Sequence, residues 1–179
     1  MRSVVTTQSP VLNLTAAQFT STDRWVRRFR SVPAMLRALR HRTRRRQVSL
    51  RAHLSRGTLM NGPGIRVDDS TYIGPNCFFE AEHGGTIHID QAVDVGPGCI
   101  FLTTTHAHGP SRRRAGTLVA QDVVIGPGAW LGARVTALPG TRVGSGCIVG
   151  ANTLLNGEYP PSTVIVGTPG RVVRTIEES

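Results

Sequence analysis

The chain has 179 residues, of which 39% are hydrophobic and only 5% aromatic, and its 20 glycines and 11 prolines exceed one position in six. This composition supports a core of small aliphatic layers and excludes a long-helix protein, in which Gly and Pro are costly. The formal charge of +10 is carried by arginine alone, with no lysine. Such a balance suggests nucleic acid, anionic membrane or phosphate-bearing partners until it is located along the chain.

Residues 1–60 hold 13 Arg and a single acid, Asp23, whereas residues 61–179 hold 8 Arg against 10 acids. The excess therefore belongs to the N-terminal segment, and the remainder is electrostatically ordinary. No apolar run has the length of a signal-peptide core or a membrane span, so a cytoplasmic protein is expected. The three cysteines, Cys77, Cys99 and Cys147, show no metal-type spacing.

In chain order, residues 1–20 are polar and read as a flexible N-terminus. Residues 21–60 read as an Arg-rich helical segment. Trp25, Phe29, Val32, Leu36 and Leu39 recur at spacings of four, three, four and three, one apolar stripe of an amphipathic helix. From 61 to 170 the pattern changes to a period of six. Aliphatic residues stand at 119, 125, 131, 137, 143, 149 and 155, commonly followed by Gly, with a small residue four places on. The same register recurs at Ile73, Ile89, Val95 and Phe101. Residues 171–179 read as a C-terminal tail.

A six-residue unit makes one short strand and one tight turn, and three units close a triangular coil whose aliphatic residues share a core. A narrow prism has no room for many rings, which explains the scarcity of aromatics. The cysteines all occupy the small-residue slot, so compact buried filler is the better reading for them. This pattern resembles the left-handed parallel β-helix, and the expected fold class is an all-β solenoid with an N-terminal α-helical segment.

The register breaks twice, through Glu80-Ala81-Glu82-His83-Gly84-Gly85 and through an extended loop over 106–118 that carries Arg112-Arg113-Arg114. Excursions are where a solenoid binds ligands, because its regular coils are consumed by stacking. Histidine at such a loop is a general-base candidate.

The run from Ile87 to Arg174 resembles the hexapeptide-repeat acetyltransferases, particularly the galactoside and maltose O-acetyltransferase group. The motifs are Thr-x-Thr-His at 103–106, Val-Ile-Gly-x-Gly-x-Trp-Leu-Gly at 124–132, Pro139-Gly140, Val149-Gly150-Ala151, Pro160-Pro161, Gly167-x-Pro169 and Arg171-Val-Val-Arg174. The resemblance implies direct acetyl transfer from acetyl-CoA to a hydroxyl of a sugar or secondary metabolite, with His106 as the base. It implies an oxyanion donor at the Ala133 N–H, and a coenzyme channel along Trp130, Ala133, Ala151, Asn156 and Gly157. Arg171 and Arg174 would meet the nucleotide end. It also implies a homotrimer with active sites between subunits, and no metal. Glu80, Glu82 and His108 are the acceptor-side candidates. Two departures stand out: Gly157 where a Lys is common, and Thr117 where some relatives place an acid. The group that orients His106 is then a backbone carbonyl or Glu82.

Three further readings stand beside this one. An amino sugar or small amine could replace the hydroxyl acceptor. His83, His88, His106 and His108 cluster near the irregularities, and His88 and His106, 18 apart, are expected to stack one coil above the other. A gamma-class carbonic anhydrase-like metal protein is the reading this raises, although the spacing does not reproduce the three-histidine zinc arrangement of that class. The twelve arginines between Arg24 and Arg56 could form a nucleic-acid or anion-binding module, although a solvated helix face is the simpler account and no nucleic-acid fold motif accompanies them.

Overall fold

The computed structural model describes residues 47–177 together with Leu36. The flexible N-terminus expected over 1–20, and the helical stripe except for Leu36, lie outside the described residues. From Gln47 onward the chain winds as the left-handed parallel β-helix that the period implies. The first coil comprises β1 (Gln47–Val48), β2 (His53–Leu54) and β3 (Leu59–Asn61), and the second β4 (Ile65–Val67), β5 (Tyr72–Ile73) and β6 (Phe78–Glu80). The third is β7 (Ile87–Ile89), β8 (Asp94–Val95) and β9 (Ile100–Leu102). An antiparallel hairpin follows, β10 (Thr104–His108) with β11 (Ala115–Ala120). Winding resumes with β12 (Val123–Ile125), β13 (Trp130–Leu131) and β14 (Thr136–Ala137), then β15 (Arg142–Val143), β16 (Ile148–Val149) and β17 (Leu154–Leu155). The last coil holds β18 (Glu158–Tyr159) and β19 (Thr163–Val166), with β20 (Arg171–Thr175) turned back along β19.

Stacking produces three parallel sheets. Sheet A has the order β1-β4-β7-β12-β15-β18, sheet B runs β2-β5-β8-β13-β16-β19 with β20 added antiparallel, and sheet C comprises β3-β6-β9-β14-β17. Every second strand residue points inward. In sheet B the inward column is Leu54, Ile73, Val95, Leu131, Val149 and Ile165, each essentially inaccessible. Burying such a side chain contributes about 1.5–3 kcal/mol. The exposed ion pairs on the walls contribute far less, so the aliphatic columns hold the prism together. Phe79 and Phe101, stacked at 4.6 Å in successive coils, are the largest core side chains, and Ala137 takes the next position in their column. The three cysteines are buried and free, their thiols donating to the carbonyls of Gly96, Gly132 and Pro160.

Three boundaries differ from the sequence reading. The β-helix begins at Gln47, within the 21–60 segment read as helical. Val48, Leu54 and Met60 already keep the period of six, but Arg51 and Arg56 between them continue the arginine run of positions 24–46 and so read with it as one segment. Val119 is not a core position: it lies on β11 and is 38% exposed, and Val123 is the buried residue that opens the next coil. The segment 171–179, read as a tail, contributes β20 to sheet B.

The size of the second excursion follows from register. Ile89 pairs with Ile125, 36 positions on, whereas Ile125 pairs with Val143, 18 positions on. The hairpin therefore accounts for one whole coil length. It leaves the prism between β9 of sheet C and β12 of sheet A, and the 81–86 excursion leaves from the same corner one coil earlier.

Candidate functional site

The two irregularities meet at their roots. A Cβ on the buried Gly85 would lie 2.5 Å from the Thr103 Cβ, so only glycine lets the first excursion close on the second. Glu80, at the end of β6, binds the hairpin as it departs. Its Oε1 accepts from the Thr104 hydroxyl at 2.9 Å and the Glu82 N–H at 3.0 Å, and its Oε2 accepts from the Thr103 N–H at 3.3 Å. Asp122 anchors the returning strand, accepting from the Thr86 N–H at 2.8 Å and the Thr86 hydroxyl at 2.6 Å. Those bonds hold the Asp122 carboxyl below its ordinary range.

His106 stands on β10 opposite Leu118, exposed to solvent. Its Nδ1 lies 2.9 Å from the Gly116 carbonyl. A carbonyl only accepts, so in the neutral ring Nδ1 carries the proton and Nε2 presents its lone pair outward. Of the two orienting groups left open by the sequence, the structure selects the backbone carbonyl. The carbonyl reaches the ring through a register shift between His106 and His108. Gly116 is needed there, because a Cβ would fall 2.8 Å from the Ala107 carbonyl oxygen. His108 pairs with Ala115 and is exposed, and Glu82 is exposed with its carboxylate 4.0 Å from the His83 ring.

Ala133 and Ala151 occupy one slot on successive coils, at the corner between sheets B and C. The same slot holds Pro75 and Pro97 in the second and third coils. Coil-to-coil bonds bypass the slot's N–H: they run from Gly132 N–H to Val149 O at 2.7 Å, from Arg134 N–H to Pro97 O at 2.9 Å, and from Asn152 N–H to Ala133 O at 2.9 Å. Proline, which lacks the N–H, fits there without loss. Where alanine replaces it, a backbone donor is left unused by the described residues, as happens at both Ala133 and Ala151. No sequence motif marks this; it emerges once the register is known.

Trp130 is 46% exposed on the outer face of sheet B, between Asp94 and Ile148 on neighbouring strands. Burial alone raises the Asp94 carboxyl above its ordinary pKa. Arg171 and Arg174 lie exposed on β20, at the end of that sheet. Asn156 and Gly157 stand at a different corner, between sheets C and A, where the Asn156 N–H donates to the Tyr159 hydroxyl at 3.1 Å. The structure thus places Trp130, Ala133, Ala151, Arg171 and Arg174 along sheet B and its corner, and sets Asn156 and Gly157 across sheet C from Ala151.

The histidines do not assemble. His88 pairs with Val124 on sheet A, not with His106, because His106 lies in the hairpin, which leaves the prism for one coil length before winding resumes at β12. The carbonic anhydrase-like stack is therefore not formed. His88 instead meets Asp68 at 3.1 Å, and with Asp90 their ligand atoms fall within 4.8 Å of one another. Arg66 donates to the same Asp68 carboxylate at 2.8 Å, and its fixed charge opposes a cation there. Burial works against the Asp68 charge, but the hydrogen bonds from Arg66 and His88 outweigh it and hold the carboxyl below its ordinary range.

A family model described as bacterial transferase hexapeptide (six repeats) matches residues 122–157. Over 116 residues the chain is 40% identical to a Staphylococcus aureus protein whose name assigns it provisionally to the acetyltransferases, covering 65% of this chain and 57% of that protein. The chain thus spans about half the length of the curated relatives it matches. A hexapeptide-repeat acetyltransferase of Vibrio cholerae, solved with acetyl coenzyme A, superposes with a TM-score of 0.58 at 25% identity, over 82% of this chain and 88% of that one. A maltose O-acetyltransferase of Clostridium difficile superposes with a TM-score of 0.52 at 28% identity, over 69% and 71%. Residues 122–157 thus match the hexapeptide repeat, and the chain is similar to acetyltransferases of that class.

Proposed function

We propose that this hexapeptide-repeat protein transfers an acetyl group from acetyl-CoA to a hydroxyl of a sugar or secondary-metabolite acceptor, without an acyl-enzyme. The His106–Gly116 hydrogen bond carries the reading. It fixes the imidazole so that Nε2 accepts the acceptor's hydroxyl proton as the oxygen attacks the thioester carbonyl. Negative charge then develops on that carbonyl oxygen, and the spare Ala133 N–H is the donor we assign to it. The Ala151 N–H and the Trp130 face line the path of the donor's pantetheine arm, and Arg171 and Arg174 offer guanidinium forks to its phosphates. The proton taken by Nε2 leaves with the thiol.

Base and oxyanion donor must serve one reacting centre about 3 Å from each. In a single chain the hairpin springs from the sheet C–sheet A corner, and Ala133 sits at the opposite edge of sheet C. We therefore read the active unit as a homotrimer, in which the hairpin of one copy meets the Ala133 corner of another. Sheet C offers a largely apolar outer column for that contact, in Leu59, Phe78, Ile100 and Leu154, with Thr136 between the last two. Leu59 is 61% exposed. The described residues contain no helix long and apolar enough to cross a membrane, and a cytoplasmic location goes with the acetyl-CoA donor.

The test is thiol release from acetyl-CoA across a panel of hydroxyl and amine acceptors. Replacing a general base costs about 10²–10⁴-fold, so His106→Ala lowers kcat by that factor with little change in the KM for acetyl-CoA. Undiminished turnover in the variant overturns the assignment, and faster turnover of amines than of hydroxyls transfers the reading to N-acetylation.

A further inference from the structure

The hairpin that presents His106 is also the most one-sidedly charged element among the described residues. From Thr104 to Gln121 it contains no acid, but it carries Arg112, Arg113 and Arg114 in a row at its tip. On the prism walls, Arg51, Arg66 and Arg142 each face a carboxylate, those of Asp69, Asp68 and Glu158. No carboxylate among the described residues pairs with the tip arginines. Arg114 donates to the Gly109 carbonyl at 3.4 Å, and Arg112 and Arg113 extend into solvent.

The tip is a built turn. The Arg113 N–H closes on the Pro110 carbonyl at 2.9 Å, and the Gly109 N–H on the Arg114 carbonyl at 2.9 Å. A Cβ on Gly109 would lie 2.3 Å from the Arg113 carbonyl oxygen, so the two arms of the hairpin are in backbone contact. The backbone that carries the arginines is thereby held relative to His106. Gly109 is three positions beyond His106, which at a rise of roughly 3.3 Å per residue places the turn about 10 Å along the strand from His106. Three adjacent cations repel one another, and an anion bridging them relieves that repulsion.

We infer that the hairpin tip is an anion subsite for the acceptor, so that the hydroxyl acetylated at His106 belongs to a molecule bearing a phosphate or diphosphate about 10 Å away. Guanidinium forks match phosphate oxygens bidentately. The spacing suits a sugar carrying its phosphate one or two rings from the reacting hydroxyl. This rests on the acetyl-transfer reading. The donor's own phosphates share the same chemistry, but they have a separate pair of arginines on β20.

Two measurements on the full chain decide it, each comparing wild type with Arg112→Ala/Arg113→Ala and with Arg171→Ala/Arg174→Ala. The first is kcat/KM for a hexose, its 6-phosphate and a uridine-diphosphate hexose at low and physiological salt. The wild type is expected to prefer the phosphorylated acceptors, less so at higher salt. Loss of one or two charge-assisted bonds lowers kcat/KM for them about ten- to hundredfold in the tip variant. The change appears in the acceptor KM, and the hexose and acetyl-CoA values stay put. Equal use of neutral and phosphorylated acceptors by the wild type, or a tip effect confined to the acetyl-CoA KM, overturns the inference. The second is calorimetric titration with inorganic pyrophosphate, which needs no turnover. Binding weakened at least tenfold by the tip variant supports the subsite, and unchanged binding overturns it. If no acceptor of any charge is turned over, acetyl transfer fails as the function, and the pyrophosphate titration still decides the tip.

Discussion

Ala133→Pro separates the proposed oxyanion donor from the fold that presents it. Proline inside a sheet protein ordinarily removes a needed N–H and imposes φ near −65°. At this corner neither effect reaches the coil. Pro97 and Pro75 hold the same slot one and two coils earlier, each after a glycine and before a left-handed residue: Asn76 has φ 58° and Gly98 has φ 69°. Ala133 stands likewise between Gly132 and Arg134, whose φ is 57°. The packing matches too, since a Cβ on Gly74 would lie 2.9 Å from the Pro97 N and one on Gly96 would lie 2.8 Å from the Ala133 N. Removing one oxyanion donor costs about 10²–10³ in kcat, or about 2.7–4 kcal/mol. A proline in a compatible conformation adds about 0.4–1 kcal/mol of stability by restricting the unfolded chain. For a chain of this size that raises Tm by roughly 1–4 °C. Thiol release and a thermal melt on the same preparation should therefore move in opposite directions. The companion Ala151→Pro should raise the KM for acetyl-CoA and leave kcat near wild type. A wild-type kcat in a folded Ala133→Pro protein refutes the oxyanion assignment, and a Tm lowered by more than about 5 °C refutes the equivalence of the slots.

Asp94 and Glu80 give two further tests. Burial raises the folded-state pKa of Asp94 above its unfolded value, so its favourable contribution is complete below the unfolded value of about 3.9 and is lost as pH rises through the folded value. Asp94→Asn should therefore raise Tm at pH 7 and leave it unchanged near pH 3; a difference independent of pH counts against burial as the cause. Glu80 spends both carboxylate oxygens on Thr103, Thr104 and Glu82, so on the proposed reading it positions His106 through the hairpin root. Glu80→Gln keeps one acceptor oxygen but sets an amide N–H₂ against a donor, and should lower kcat about three- to tenfold with the acceptor KM unchanged, as for a neutral bond lost. A rise in acceptor KM at constant kcat would restore Glu80 to the acceptor contacts.

The six-residue period exposed most of the prism because inward positions are filled mainly by aliphatic or small residues, the stacked pair Phe79 and Phe101 being the bulky exception. Ile73, Val95, Leu131, Val149 and the three cysteines all prove buried. The same logic fails where polar side chains sit on a regular coil. Val48, Leu54 and Met60 repeat at six, but the arginines among them point outward and are neutral to the fold, so charge disguised the coil as part of a helix. The phase also fails across the hairpin. Counting in sixes back from Ile125 lands on Val119, yet the return strand is antiparallel and obeys its own register with β10. His106 was legible as a candidate base from its motif, but its orienting carbonyl was not. Gly116 is ten positions away, and only the shifted register of the hairpin delivers it.

Chemistry in such a solenoid depends on departures from the repeat, and these departures are of two kinds. A coil that breaks its length, as between Leu102 and Val123, liberates a side chain and a pair of strands to carry it. A corner that keeps its length but exchanges proline for alanine, as from Pro97 to Ala133, liberates a backbone donor with no visible change of fold. The first kind is conspicuous in a sequence and the second nearly silent, although an oxyanion donor contributes on the same scale as a base. In this chain the two stand at opposite edges of sheet C. On the reading proposed here, neither the length break nor the proline exchange is useful alone, and copies must pack so that the hairpin of one crosses to the corner of another.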